Sequence, residues 1–304
     1  MTFDIRTGTA TANGLEIAYE DMGTVDDPSV VLIMGFACQL TAWPLNFCRL
    51  LVAADYRVIR FDNRDIGLST KFDGVRLEGS QLVRMARFEF GLPSPVPYTL
   101  PDMAADTAGL LDHLKIESAH IVGASMGGMI AQVFAAEYPT RVRSLGIIFS
   151  STNQAMMPPP HPLAVKVLLD SPGRNPTRER IIEKAIEGQK VIGSPKYPEP
   201  EAVTAARAGE AFDRSYYPAG IVRQFGATLG TGSLLSYSTR IDTPAVVIHG
   251  SADRLVRPAG GKAVAKAVRG AQLHIIDGMG HDLPADLHDE LAGHLLANFA
   301  AVTA

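Results

Sequence analysis

Residues 7–23 alternate apolar and polar positions on either side of the pair Asn13-Gly14. That dipeptide accepts the positive φ of a tight hairpin turn, so the pattern predicts two antiparallel strands. The pattern then changes to short unbroken apolar runs at 30–34, 57–61, 119–124, 145–150, 245–250 and 272–277. Runs of this kind are expected of strands buried on both faces of a parallel sheet. Helically spaced segments lie between them, at 46–54, 101–114, 126–138, 258–268 and 284–299. Strands alternating with helices predict an α/β fold, with a mostly parallel sheet, helices on both faces and the N-terminal hairpin as an antiparallel edge.

Two stretches interrupt this rhythm. Residues 70–98 end in Pro93, Pro95 and Pro97, and residues 151–238 open with MMPPPHP. The second stretch carries helical pieces at 179–189 and 201–212 but no buried-strand run. The expected organisation is a core domain of 1–150 and 239–304, with 151–238 inserted as a helical cap over one end of the sheet.

Composition narrows the function classes. The 304-residue chain is 46% hydrophobic and 20% charged, with a formal net charge of −4 and acids and bases interspersed. No Lys/Arg cluster marks a nucleic-acid footprint. The longest apolar runs fall well short of a membrane span. The opening MTFDIRTGTA lacks the basic and apolar regions of a secretory signal, so a cytoplasmic location is expected. Cys38 and Cys48 are too few for a disulfide framework and are read as separate thiols.

The sharpest local signal is Gly123-Ala124-Ser125-Met126-Gly127, a G-x-S-x-G with an apolar strand directly before it and an apolar helix directly after. That strand–turn–helix context is the one a nucleophile elbow needs, with the serine forced out above the sheet. The following helix aims its N-terminus at the reacting group, making the Met126 N–H a candidate oxyanion donor. A serine hydroxyl needs a base, and the base needs an orienting carboxylate. Asp253 follows the run at 245–250 and His281 follows the run at 272–277, each at the carboxyl end of a strand. Asp277 and Asp282 compete with Asp253 but read as turn or cap residues, and His249 reads as a structural hydrogen-bonder. The loop after 30–34 supplies Gly35 for a sharp turn and the Phe36 N–H as the second oxyanion donor.

These residues resemble the α/β-hydrolase superfamily over nearly the whole chain outside the 151–238 insertion. The resemblance rests on GASMGG at 123–128, HGSADRLV at 249–256, GMGH at 278–281 and FDNRDIGLST at 61–70. It implies that Asp62, Arg64 and Ser69 brace a loop and take no part in the chemistry. Many relatives carry His-Gly after the third strand, where this chain has Met34-Gly35. The Met-Gly form followed by Trp43-Pro44 is similar to a subgroup that includes aclacinomycin methylesterase and actinobacterial lipase-like carboxylesterases. The resemblance implies ester hydrolysis through an acyl-enzyme on Ser125, with no metal and no organic cofactor.

Three alternatives stay open on the same residues. Cofactor-free perhydrolases (haloperoxidases) and carbon–carbon bond hydrolases keep the Ser-Asp-His set, and a non-catalytic ligand-binding member would keep only the fold. Dehalogenases and epoxide hydrolases use an aspartate where this chain has Ser125. The expected partner is a small-molecule ester, apolar or aromatic, with Trp43, Met157, Phe212 and Tyr216 as candidate pocket residues. A homodimer is left open as the assembly.

Overall fold

The computed structural model describes residues 4–302 except 171, 172, 174 and 175. Eight strands form one sheet: β1 (Ile5–Ala12), β2 (Leu15–Met22), β3 (Ser29–Ile33), β4 (Arg57–Phe61), β5 (Ala119–Ala124), β6 (Val142–Ile148), β7 (Ala245–Gly250) and β8 (Gln272–Ile276). Their spatial order is β1-β2-β4-β3-β5-β6-β7-β8. β1 pairs with β2 and β2 with β4 in antiparallel register, and every other pairing is parallel. Asn13 (φ 51°) and Gly14 (φ 76°) make the predicted hairpin turn.

Side chains alternate across the strands, and the two faces fill two cores. Val31 and Ile33 of β3 join one cluster, Val30 and Leu32 the other. Over the first face lie α3 (Leu100–His113), α4 (Met126–Glu137) and α10 (Ala259–Ala267), contributing Leu110, Ile130, Phe134 and Val264. Over the second lie α1 (Leu45–Ala53) and α11 (His288–Ala300), contributing Phe47, Leu51, Leu291, Leu295 and Phe299. The run at 272–277 departs from the expectation of burial on both faces. β8 is the edge strand, and Leu273 and Ile275 remain exposed on it.

α2 (Gln81–Glu89) lies within the stretch 70–98, where no helix was anticipated; Arg84 is its buried anchor. Among the described residues, five helices separate β6 from β7: α5 (Pro162–Leu169), α6 (Arg178–Ile192), α7 (Glu201–Arg214), α8 (Pro218–Thr231) and α9 (Leu235–Ser238). They do not form one detached excursion. α6 packs on α5 and α7, whereas α8 lies against α2 and α3, and α9 against α4. α8 sits close to the core because its glycines leave space: a Cβ on Gly220 would fall 1.9 Å from the Asp65 carbonyl oxygen. The buried pair Arg223–Asp65 (2.7 Å) fastens the same helix. No helix among the described residues is long and apolar enough to cross a membrane.

On the second face, Leu295 of α11 rests on Gly146 of β6, where a Cβ would come within 2.5 Å of Leu295 Cδ2. Leu295→Ala is expected to cost about 2–5 kcal/mol as a buried truncation. Gly146→Ala is expected to destabilise the wild type but to be partly tolerated beside Leu295→Ala. A double-mutant cycle by urea denaturation checks this through its non-additive coupling term.

Candidate active site

The strand order reverses between β3 and β5. From β3 the chain passes to β4 on one side, and from β5 it proceeds to β6, β7 and β8 on the other. The carboxyl ends of β3 and β5 therefore open a crevice at a topological switch point, where ligands collect in open α/β sheets. Gly35 and Phe36 follow β3, and Ser125 follows β5.

Ser125 has φ 55° and ψ −120°, an unfavourable backbone conformation for a residue with a side chain. Its neighbours explain how the turn is made. A Cβ on Gly123 would lie 2.2 Å from the Gly127 carbonyl oxygen, and one on Gly127 would lie 2.0 Å from that of Ile33. The glycines let β5, α4 and β3 approach so closely that the serine is squeezed out of the turn. The Ser125 N–H donates to Ile148 O (2.9 Å), and its carbonyl accepts from Ser150 Oγ (2.6 Å), so the strained residue is held on both sides.

Two further loops complete the arrangement. His281 Nε2 lies 3.0 Å from Ser125 Oγ, and His281 Nδ1 lies 2.7 Å from Asp253 Oδ2. Asp253 is buried, and its other oxygen accepts the N–H groups of Leu255 (2.8 Å) and Val256 (2.9 Å). Burial alone would raise its pKa. The charge of His281 and hydrogen bonding from His249 and His281 outweigh that, lowering it to about 2. The Phe149 ring packs 4.6 Å from the imidazole of His281.

Gly35 brings the β3 loop against the serine: a Cβ there would sit 3.0 Å from Ser125 Cβ. In this loop the Ala37 N–H donates to Gln224 Oε1 and the Cys38 N–H to Gly35 O. The Phe36 N–H has no protein acceptor among the described residues. Met126 opens α4, so its N–H is one of the unpaired first-turn donors of that helix.

The remaining sequence-derived residues divide. Phe36 is half-buried with its ring 6.0 Å from Phe225, and the rings of half-buried Phe212 and Tyr216 lie 5.1 Å apart. Met157 is half-buried in the loop after β6. Trp43 is a correction. It is wholly buried among the α1 and α11 side chains, with its ring stacked 5.7 Å from Phe47, and it faces the core rather than a pocket. Met34 is likewise a core residue, and its carbonyl accepts from Asn63 Nδ2 (2.8 Å).

The loop at 61–70 is braced as the motif implies. Asp62 accepts from the Leu40 and Leu68 N–H groups, Arg64 pairs with Asp106, and Ser69 Oγ donates to the Asp62 carbonyl. Cys38 is exposed and Cys48 buried, both as free thiols.

Three residues near the site carry more than the sequence suggested. His249 Nε2 donates to Val256 O (2.8 Å) and lies 3.4 Å from Asp253 Oδ2, so a second imidazole flanks the carboxylate. Asp282 is no simple turn residue. Its carboxylate accepts from Ser194 Oγ and from Gln189 Nε2 (2.6 Å), tying the end of α6 to the loop of His281. Burial raises the Asp282 pKa despite those bonds. The His281 N–H, in turn, donates to Ile192 O (2.7 Å). The contacts of Asp282 and of the His281 N–H join segments far apart in sequence, and no local pattern signals them. A separate cavity of about 310 Å³ opens beside α6 and α7, lined by residues that include Ile186, Val191, Pro198 and Arg254. None of Ser125, Asp253 or His281 lines it.

Comparison with known proteins agrees with this architecture. The chain is 27% identical to rhodomycin D methylesterase DnrP of Streptomyces peucetius, over 93% of this chain and 95% of the relative. It is 30% identical to a 2-hydroxy-6-oxononadienedioate/2-hydroxy-6-oxononatrienedioate hydrolase of Burkholderia vietnamiensis, over 88% of this chain and 85% of the relative. The enol-lactonase of Burkholderia xenovorans LB400 superposes with a TM-score of 0.72 at 23% identity, covering 96% of this chain and 100% of that one. The family profile described as the alpha/beta hydrolase fold matches residues 28–286, and the chain belongs to that family.

Proposed function

We propose that this protein is a serine hydrolase that cleaves carboxylic esters through an acyl-enzyme on Ser125. The observation that carries the reading is the unbroken hydrogen-bonded line from Ser125 Oγ through both nitrogens of His281 to Asp253 Oδ2, at 3.0 and 2.7 Å. His281 Nε2 accepts the serine proton as Oγ attacks the ester carbonyl. Asp253 holds the imidazole by Nδ1 and stabilises the imidazolium that forms. The Phe36 and Met126 N–H groups receive the tetrahedral oxyanion, where fixed donors act without reorganising. His281 then protonates the leaving alcohol, the C–O bond to that alcohol breaks, and a water activated by the same imidazole releases the acid.

The methylesterase relative, matched along nearly its full length, supports ester cleavage. The substrate class is an apolar or aromatic small-molecule ester. Phe36, Phe225, Phe212, Tyr216 and Met157 are the apolar groups that would border its acyl or alcohol part. Residues 151–238 serve as the cap, with α6 and α7 its outlying part.

A second reading has its own support. The Burkholderia vietnamiensis relative is named as a hydrolase of 2-hydroxy-6-oxononadienedioate, and carbon–carbon bond cleavage uses the same three side-chain types. The apolar borders formed by Phe36, Phe225, Phe212 and Tyr216 favour a neutral ester over such a dianionic substrate. We therefore rank ester hydrolysis first.

A p-nitrophenyl ester series from acetate to palmitate tests the first reading. Ser125→Ala is expected to lower kcat about a thousandfold or more while leaving a residue of catalysis. A folded wild type that turns over no ester but cleaves a vinylogous diketone would transfer the assignment to the second reading. The pH–rate profile adds an independent check. Asp253, held at about pKa 2, stays ionised through the working range, so its own protonation adds no limb to the profile above about pH 4. Its folded pKa lies below the ordinary carboxylate value, so the stability it contributes is present above about pH 4 and is lost as pH falls toward 2. Asp253→Asn is expected to cut kcat about a hundredfold or more and to remove that part of the acid sensitivity of unfolding.

A further inference from the structure

The loop after β3 is gripped from the insertion as well as from the core. Gln224 of α8 is wholly buried, and both ends of its amide are committed to main-chain groups. Its Oε1 accepts the Ala37 N–H at 3.1 Å, and its Nε2 donates to Arg64 O at 2.9 Å. These partners fix which end of the amide is oxygen. The adjacent residue, Phe225, lies against the Phe36 ring. Residues 224 and 225 thus hold both the backbone and the side chain of the segment that carries the Phe36 N–H.

Ala37 shows why a grip is needed. Its φ of 60° is left-handed, a region that a residue with a Cβ enters only when its surroundings hold it there. The peptide joining Phe36 to Ala37 shares Phe36 with the candidate oxyanion donor, so relaxation at Ala37 turns the Phe36 N–H as well. The arm that prevents this is rigid. α8 is fastened by Arg223 to buried Asp65 and seats Gly220 directly on the Asp65 carbonyl. A second tie runs beside it: Gln39 Nε2 donates to Ala211 O (2.6 Å) and Ser215 O (2.8 Å) at the end of α7, and Arg214 bridges Gln39 Oε1 (2.6 Å) and Asp62 Oδ2 (2.8 Å).

We propose that Gln224 is a positioning residue for the oxyanion site, acting through the Ala37 amide to hold the Phe36 N–H toward Ser125. This rests on the acyl-transfer reading above and extends it. The insertion then contributes to the chemical step itself, besides bordering the substrate. Loss of the Gln224 grip should be felt where charge develops on the carbonyl oxygen and little in ground-state binding.

The test compares wild type with Gln224→Met, which keeps the volume, and Gln224→Glu, which keeps an acceptor for Ala37. On p-nitrophenyl butyrate, Gln224→Met is expected to lose kcat about 10- to 100-fold with KM changed less than about threefold. Affinity for a trifluoromethyl ketone, whose adduct with Ser125 carries the oxyanion, should fall by the same factor. Gln224→Glu should recover part of the loss. Hydrogen–deuterium exchange, read on wild type and variants alike, should speed up at Ala37 in Gln224→Met. Unchanged kcat in a folded Gln224→Met, or a KM rise equal to the kcat loss, overturns the proposal. If the wild type turns over no ester, the functional reading fails, and unchanged exchange at Ala37 then overturns the positioning role separately.

Discussion

The site depends on a steric constraint: where β5 turns into α4, no side chain fits at Gly123 or Gly127. With the Ile33 and Gly127 carbonyl oxygens about where those Cβ atoms would stand, strand, helix and neighbouring strand are pressed together. The cost is Ser125 in a conformation at φ 55°. Such a residue costs of order 1–3 kcal/mol and persists only when its surroundings over-determine it. Here they do, through Ile148 O, Ser150 Oγ and the hydrophobic cores on both sides of β5. The same turn exposes Ser125 Oγ and sets the first N–H groups of α4 beside it. The candidate nucleophile and one candidate oxyanion donor therefore come from a single piece of local geometry.

The other two loops are joined to the insertion by hydrogen bonds. Ser194, Gln189 and Ile192 reach the loop of His281 from α6 and its following turn. Gln224, Arg214 and the last carbonyls of α7 reach the loop of Phe36. Removing the insertion as a unit would leave buried donors and acceptors unmatched on both loops, each at about 1–3 kcal/mol. That argues against a lid hinging freely over a finished site.

Much of this was legible in the sequence, for identifiable reasons. Parallel strands buried on both faces give unbroken apolar runs, so β3 to β7 stand out. G-x-S-x-G is legible because the sterics that require its glycines act within five residues. Asp253 and His281 could be placed because both follow strands, and strand ends converge at one edge of the sheet. What was not legible is tertiary. Trp43 looks like a pocket residue beside Gly35 in sequence, yet the turn before α1 carries it under the sheet against Phe47. β8 has the composition of an inner strand but is last in spatial order, and order is not written in a strand's own residues. α2 and α8 were missed because Pro-rich and Gly-rich flanks mask their periodicity; the glycines of α8 serve close packing instead of ending the helix.

Asp253 shows how these levels meet. A buried carboxylate is costly unless its charge is matched, and here two backbone N–H groups, His281 and the nearby His249 surround it. Its two oxygens have different tasks. Oδ1 is fixed by the Leu255 and Val256 amides, which anchors the side chain to its own turn, and Oδ2 faces the imidazoles. His249 spends its Nε2 proton chiefly on Val256 O, the carbonyl of the residue whose N–H binds Oδ1. The imidazole thus stiffens the turn that holds the acid as well as lying beside the acid itself. With one oxygen locked by the backbone, the direction of the other is set by covalent geometry. The Nδ1 side of His281 then has one favourable orientation, and it leaves Nε2 aimed at Ser125.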